Sequence, residues 1–340
     1  MIEGIHIVYA SDENFLMPTR VSIVSAFACS KQRELLEFDI LDCGISDSIW
    51  QDFVEKLRSL GLTRITRHLV DMKKFADMRA YHSSLGTYAR FEIPQYLRNQ
   101  EWCIYVDGDT LFLSDPFDLT TFFEGDNLIL GHKDIGCDTA ERRQWFSLNN
   151  YVWPGEDYVC AGFLVMNLKG LRAIDFTESC FEFMARHRDV PNNDQDVLNI
   201  LCSRRIGFLP DGWGGFNIEP FPKSVPYGCI HYAFGKPWGL SHKWTHCLLD
   251  SDCLWLYAAR ILCNVGLREL GLSHWKVLHY YLHSMLLRAL LVIVSRTRAG
   301  RSRWRMQLGY FAPCWLKMRL KRQFKQFARQ QKCILGKDLF

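Results

Sequence analysis

At 340 residues and 39.7 kDa, with 48% hydrophobic and 23% charged residues, the chain carries enough apolar material for a large buried core and falls outside the disordered class. No run of 18 or more apolar residues occurs; the nearest candidate, Leu286 to Val294, is short and broken by Arg288, so no membrane span is expected. The net charge of +4 conceals an asymmetry: residues 296 to 340 hold 13 Lys and Arg against a single acid, Asp338, while the rest of the chain is net negative by 8.

The first strand-like run, Ile5 to Ala10, begins almost at Met1, without a basic lead or a small-residue cleavage site. The expectation is therefore a cytoplasmic chain with no signal peptide. Its 13 cysteines stand singly, with no C-x-x-C pair, and read as reduced, mostly buried small hydrophobes rather than zinc ligands.

Apolar runs alternate with helical patterns along the first half. Strands are expected at 5–10, 38–41, 65–70 and 102–106, and helices at 21–29, 47–60 and 87–97. That alternation points to an α/β sheet with parallel strands. A strand at 128–131 leads into a polar loop containing Trp and Pro, followed by an apolar run at 163–166 and a helix at 176–188. Gly and Pro punctuate residues 207–239, and from about Cys247 the pattern is helical to the end. The division expected is a catalytic domain at 1–246 and a helical region at 247–340, ending in a basic amphipathic tail from about 296.

Asp107-Gly108-Asp109 follows the strand 102–106 directly. Two carboxylates one residue apart at a strand end can turn toward one cation, and hard oxygen ligands suit Mn²⁺ or Mg²⁺, which bridge a diphosphate. The same triplet also fits a polar turn after a buried strand. A phosphatase-type D-x-D-x-T pattern fails by one residue, since Thr110 follows at once. His231 can offer a borderline nitrogen ligand and Lys236 a charge for phosphate, although a lone histidine is as well explained by packing. Asp194-Gln195-Asp196 precedes an apolar run and also fits a helix N-terminus.

Taken in order, these pieces resemble the family 8 glycosyltransferases, in particular bacterial enzymes that extend lipopolysaccharide or lipooligosaccharide. The resemblance runs from Ile5 to Trp238 through Ala10-Ser11-Asp12-Glu13-Asn14, Ile40 to Ser46, His82, Thr87-Tyr88-Ala89-Arg90, Tyr105 to Asp109, Ala161 to Leu168, Asp194 to Asn199 and His231 to Trp238. It implies a GT-A fold, a Rossmann-like nucleotide-sugar-binding mixed sheet flanked by helices, with the basic helical region as an appendage. It further implies retaining transfer of a hexose from a UDP-sugar, galactose before glucose, to a lipid-linked glycan at the inner membrane face. By the same resemblance Ala10, Asp12 and Asn14 hold uracil and ribose, and Asp107, Asp109 and His231 bind Mn²⁺, Mg²⁺ being the alternative. Arg90 and Asp134 meet the donor sugar or its leaving group, Asp194 and Gln195 lie by the anomeric carbon, and Lys236 meets a phosphate. His82, Cys160, Ala161 and Gly235 complete the expected donor-binding set.

Two features depart from the family pattern. Cys160 stands where an Asn is usual, and the stretch from His231 to Lys236 is one residue short. They motivate an alternative of another class, a non-catalytic membrane-bound nucleotide-sugar-binding protein. In the tail, Leu316, Leu320, Phe324 and Phe327 form an apolar stripe beside Lys317, Lys321, Lys325 and Arg329. The expectation is a helix lying on an anionic bilayer, the other reading being a helix packed on its own acidic body. No nucleic-acid-binding signature accompanies the charge.

Overall fold

The computed structural model describes residues 4–79, 84–219, 227–239, 249–295, 321–327 and 329. The chain starts as expected, with β1 (Ile5–Ser11), α1 (Leu16–Cys29), β2 (Leu36–Asp42), α2 (Asp47–Arg58) and β3 (Ile65–Leu69). Each strand is parallel to the one before, so the sheet grows outward as β1, β2, β3. α1 is buried on nearly every face because it lies between the sheet and later helices, whereas α2 buries only Phe53, Val54 and Leu57 against the core.

The chain then crosses to the other side of β1. The helix expected over 87–97 is a 3₁₀ segment, Gly86–Glu92, followed by the single turn α3 (Ile93–Tyr96). Pro94 explains the break: it lacks an N–H and its ring meets the carbonyl of residue 90, so an α-helical ladder cannot run through it. β4 (Trp102–Val106) pairs in parallel with β1 through Ile7↔Ile104 and Val8↔Tyr105. Strand order thus reverses between β1 and β4, and at such a switch point the C-terminal strand ends open a crevice.

Beyond β4 the sheet is mixed, as the resemblance implies, and the expectation of parallel strands holds there only for its last pair. After β5 (Thr110–Phe112) and β6 (Ile129–Lys133), a segment read as loop contains α4 (Ala140–Leu148), and β7 (Val159–Asn167) then inserts antiparallel between β4 and β6. An apolar run buried on both faces is compatible with either direction, and β7 has all nine residues buried. Three helices follow, α5 (Leu168–Arg172), α6 (Phe176–Arg186) and α7 (Asn193–Leu201), before β8 (Ile206–Phe208) closes the sheet in the order β3-β2-β1-β4-β7-β6-β8. The Gly-rich region supplies β9 (Trp213–Phe216) and β10 (Cys229–His231), which form a small second sheet with β5 in the order β5-β10-β9. The result is a mixed α/β sheet flanked by helices.

α8 (Asp250–Cys263) packs on α1, and α9 (His274–Ser295) follows after a non-helical stretch. No helix among the described residues is long and apolar enough to cross a membrane. Of the tail stripe, Phe324 and Phe327 are corrected from lipid-facing to core-facing: both are buried, with Phe327 edge-on to Phe27 at 5.9 Å and under the Arg33 guanidinium at 4.9 Å. Leu316 and Leu320 lie outside the described residues. Among the described residues no two cysteines form a disulfide; of these ten cysteines eight are buried and two half-buried.

Candidate functional site

The Asp107-Gly108-Asp109 turn leaves β4 at the crevice and is clamped from two sides. The Asp107 N–H donates to the Gly162 carbonyl of β7 at 2.8 Å, and the Asp109 carbonyl accepts the Tyr232 N–H at 2.8 Å. α1 presses on the middle: a Cβ on Gly108 would stand 2.2 Å from Thr19 Oγ1, so only glycine fits. Thr110 is held to Ser22 of α1 by a 2.6 Å hydroxyl contact. The third member arrives from far along the chain. β10 lies between β5 and β9, and its last residue, His231, pairs with Thr110 on one side and Phe216 on the other.

Asp107, Asp109 and His231 therefore offer ligand atoms that all lie within 4.8 Å of one another. His231 Nε2 is 3.4 Å from Asp109 Oδ1 and 3.8 Å from Asp107 Oδ2. Asp109 Oδ1 is buried and has no hydrogen-bond partner, which in a carboxylate is costly without a cation. Burial acts to raise the Asp109 carboxyl pKa, yet the Lys236 ammonium and His231 hold it well below the usual carboxylate range. For His231 burial acts against the imidazolium, but Asp109 and the Cys160 sulfur outweigh it and hold the pKa well above the ordinary value. Two carboxylates and an imidazole converging on an orphaned oxygen fit a hard divalent cation.

The floor of this cluster is Gly162, where a Cβ would stand 2.2 Å from His231 Cε1 and 2.7 Å from Asp107 Oδ2. Behind the ring, His231 Nδ1 meets Cys160 Sγ at 3.6 Å, and the same sulfur accepts the Gly162 N–H at 3.4 Å. Cys160 thus stands behind the histidine, fixing which ring nitrogen faces the carboxylates. Lys236 caps the group from above, bonded to Asp109 Oδ2 and donating to the Tyr232 carbonyl at 2.9 Å. Its loop is set by Asn217, whose side chain donates to the Phe234 and Gly235 carbonyls at 3.0 and 3.4 Å and accepts the Phe234 N–H at 3.2 Å. Gly235 takes left-handed backbone, φ 88°, at the bend.

A second group of acids lies alongside. Arg90 is only 3% exposed, and its guanidinium donates to Asp107 Oδ1 at 3.0 Å, to the Ala161 carbonyl at 2.5 Å and to Thr87, while its Nε is 3.1 Å from Asp194 Oδ2. It joins the two acids from behind and stacks over Tyr105 at 4.5 Å. Asp194, at the start of α7, also accepts the Thr87 hydroxyl at 2.6 Å; burial raises its carboxyl pKa despite Arg90. Gln195 is fixed at both ends, its Oε1 accepting the Ala161 N–H at 3.0 Å and its Nε2 donating to Asp134 Oδ2 at 2.9 Å. Asp134 also accepts the Gly136 N–H at 3.2 Å.

Ala10 lies one residue before the end of β1 at the same edge, and Asp12 caps the turn after the strand by accepting the Phe15 N–H at 3.1 Å, with Asn14 exposed beside it. His82 lies outside the described residues. The reading of single residues overlooked Tyr105, whose hydroxyl donates to Asp107 Oδ1 at 2.7 Å; strand alternation puts residues 105 and 107 on one face and carried that signal. It also overlooked Arg142, which reaches Asp196, the Tyr158 hydroxyl at 2.6 Å and the Cys137 carbonyl at 2.7 Å, for which no local signal exists.

The glycosyl transferase family 8 profile matches residues 6–239. A putative glycosyltransferase of Haemophilus influenzae is 26% identical over 229 residues, 66% of this chain and 66% of the relative. The lipopolysaccharide 1,3-galactosyltransferase of Salmonella typhimurium is 25% identical over 214 residues, 60% of this chain and 61% of the relative. The chain thus spans just under two thirds of the length of these curated relatives. The crystal structure of the galactosyltransferase LgtC in complex with donor and acceptor sugar analogues matches with a TM-score of 0.65 at 25% identity, over 78% of this chain and 99% of that one. Since the profile matches well over half of the chain, and its span contains both acid groups of the crevice, the chain belongs to glycosyl transferase family 8.

Proposed function

We propose that the protein is a metal-dependent retaining glycosyltransferase that moves a hexose from a UDP-sugar, UDP-galactose before UDP-glucose, to a lipopolysaccharide or related surface glycan, forming an α-linkage. The observation that carries the reading is the Asp107, Asp109 and His231 cluster with its orphaned carboxylate oxygen, set at the switch point of a family 8 fold. Those three residues would hold Mn²⁺ or Mg²⁺. When bound, the ion supplies Lewis-acid stabilisation of charge on the departing diphosphate.

The remaining work falls to the chain. Ala10, Asp12 and Asn14 line the nucleoside end of the crevice, with His82, Ala161 and Gly235 counted in the donor-binding set, while Cys160 acts from behind His231 rather than on the donor. Lys236 adds a fixed positive charge for the diphosphate. As the bond from C1 to the β-phosphate oxygen breaks, an acceptor hydroxyl attacks from the same side, and its proton passes to the leaving diphosphate. Gln195, its amide tied to Asp134 and Ala161, lines the opposite face; an amide so held is a poor nucleophile, which favours same-side attack. Arg90 holds Asp107 and Asp194 at their positions rather than reaching forward, because its donors already meet protein groups. The basic tail is proposed to bring the enzyme to the inner membrane face where such acceptors reside.

The test is UDP release from UDP-galactose, UDP-glucose and their N-acetyl forms, with Mn²⁺ or EDTA. Metal-dependent release from one donor, lost in Asp109→Asn, is the expected result. UDP binding without turnover of any donor, with a lipid-linked acceptor supplied, would favour the binding-protein reading instead.

A further inference from the structure

Each carboxylate of the cation cluster turns one oxygen toward the cluster and gives the other to a cationic side chain. Asp107 Oδ2 faces His231, while its Oδ1 accepts from Arg90 at 3.0 Å and from the Tyr105 hydroxyl at 2.7 Å. Asp109 Oδ1 lies 3.4 Å from His231 Nε2, and its Oδ2 is held by Lys236. The two acids thus come to the cluster already paired, one with a guanidinium and one with an ammonium. A divalent cation brought to them also bears the field of those positive charges, and with Asp109, His231 and Arg90 all buried that field is weakly screened.

The two pairs differ in what lies beyond them. Arg90 is compensated by protein on its far side, where its donors meet the Ala161 carbonyl and Thr87 and its Nε lies by Asp194. Lys236 instead borders the crevice, with 30% of its side chain exposed. Its ammonium donates to the Tyr232 carbonyl at 2.9 Å and lies 5.9 Å from the centre of the Phe15 ring, in the turn that Asp12 caps. It therefore stands between the cation cluster and the nucleoside end. The backbone fixes it there, since the Tyr232 N–H is itself bonded to the Asp109 carbonyl.

We propose that Lys236 couples the binding of cation and nucleotide: its ammonium on Asp109 keeps a divalent cation weakly bound to the protein alone, and an arriving diphosphate, by neutralising that ammonium in place, tightens the cation's hold. The inference deepens the donor site of the transferase reading and rests on it. By linkage the cation tightens the nucleotide by the same factor. Direct contact between cation and phosphates couples them too, but that contact survives loss of the lysine, so a substitution isolates the lysine's share. The sign of the effect is diagnostic. A lysine that only props up Asp109, or only binds phosphate, predicts cation affinity that falls or stays level when it is removed.

The experiment is an electron paramagnetic resonance titration of Mn²⁺ into wild type, Lys236→Met and Lys236→Arg, each with and without UDP. Without UDP, Lys236→Met should bind Mn²⁺ about tenfold more tightly than wild type, and its gain on adding UDP should shrink by a similar factor, within the roughly 5–150-fold span of couplings between sites. Lys236→Arg, which keeps the charge, should behave as wild type does. Mn²⁺ binding to Lys236→Met no more tightly than to wild type, or an undiminished gain from UDP, overturns the proposal. A wild type that binds no UDP even with Mn²⁺ refutes the transferase reading itself, a distinct outcome.

Discussion

Arg142 offers a test of how the site is held in place. It lies in α4, outside every site motif, and is buried with Asp196 of α7, which is fully enclosed. Asp196 Oδ1 accepts from Arg142 and from the Tyr158 hydroxyl at 2.9 Å, and its Oδ2 accepts the Asn192 N–H at 2.7 Å. The guanidinium also lies over the rings of Trp153 and Tyr158, at 5.2 and 4.7 Å. Removing the arginine leaves a buried carboxylate with two neutral donors, and breaking a buried pair in this way costs about 3–5 kcal/mol. For a domain of this size Arg142→Met should lower the melting temperature by roughly 6–20 °C. Because the surviving charge causes most of that loss, adding Asp196→Asn should recover part of it, with a coupling of about 1–3 kcal/mol in a double-mutant cycle. Thermal unfolding of the four proteins measures both. An Arg142→Met protein melting within about 2 °C of wild type, or a cycle without coupling, would refute the reasoning, since each contradicts a buried charge left unpaired.

Three further outcomes follow from single positions. Gly162→Ala drives a Cβ against His231 and Asp107, so Mn²⁺ affinity by electron paramagnetic resonance titration should fall at least about tenfold; equal affinity would mean the cluster is not the metal site. Burial acts to raise the Asp39 carboxyl pKa, but the 2.7 Å contacts from His6 and His68 outweigh it, leaving the group below its ordinary 3.8. Its contribution is therefore complete above that value and lost as pH falls through the folded-state pKa, so Asp39→Asn should be less stable by about 1–3 kcal/mol at pH 7 in urea titrations, with the gap closing below about pH 4. Phe327→Ala should cost about 3 kcal/mol or more in the same titrations, whereas a side chain facing lipid or water would cost almost nothing.

The carboxylate pair was legible because it is local: a buried strand, then Asp-Gly-Asp, and alternation fixes which way each side chain turns. Its histidine was not. His231 reaches the pair through β5–β10 pairing across more than a hundred residues, and no short-range pattern encodes that register; only the family resemblance pointed to it. The direction of β7 was illegible for a related reason, since a strand buried on both faces carries no alternation and its apolar run fits either sense. Asp196 reads as an ordinary acid at a helix N-terminus, and Arg142, in a segment that reads as loop, draws no attention, because a sequence shows charge but not enclosure. Cys160 stood out only as a departure, and its contact with His231 shows that the position still acts on the site, through sulfur.

The tail shows where pattern reading confuses two solutions to the same problem. An apolar stripe beside a basic one satisfies both a helix on a membrane and a helix on its own protein, and at 321–327 the second holds: Phe324 and Phe327 enter the core against α1 and α8. Lys321, Arg322, Lys325 and Arg329 remain exposed, so this segment can offer a bilayer charge but no apolar contact. Exposed apolar side chains lie instead on α9, where Trp275, Leu278, Leu282 and Leu286 recur at helical spacing. If the proposed membrane association holds, the two segments divide the work. Reversing the four basic residues to Glu should then weaken binding to vesicles containing phosphatidylglycerol, by about 1 kcal/mol for each residue that reaches the surface, and high salt should do the same. Trp275→Ser with Leu282→Ser should weaken binding without changing its salt dependence. Should the charge-reversed protein sediment with such vesicles as wild type does, the basic face has no membrane role and the charge serves only the acidic body beneath it.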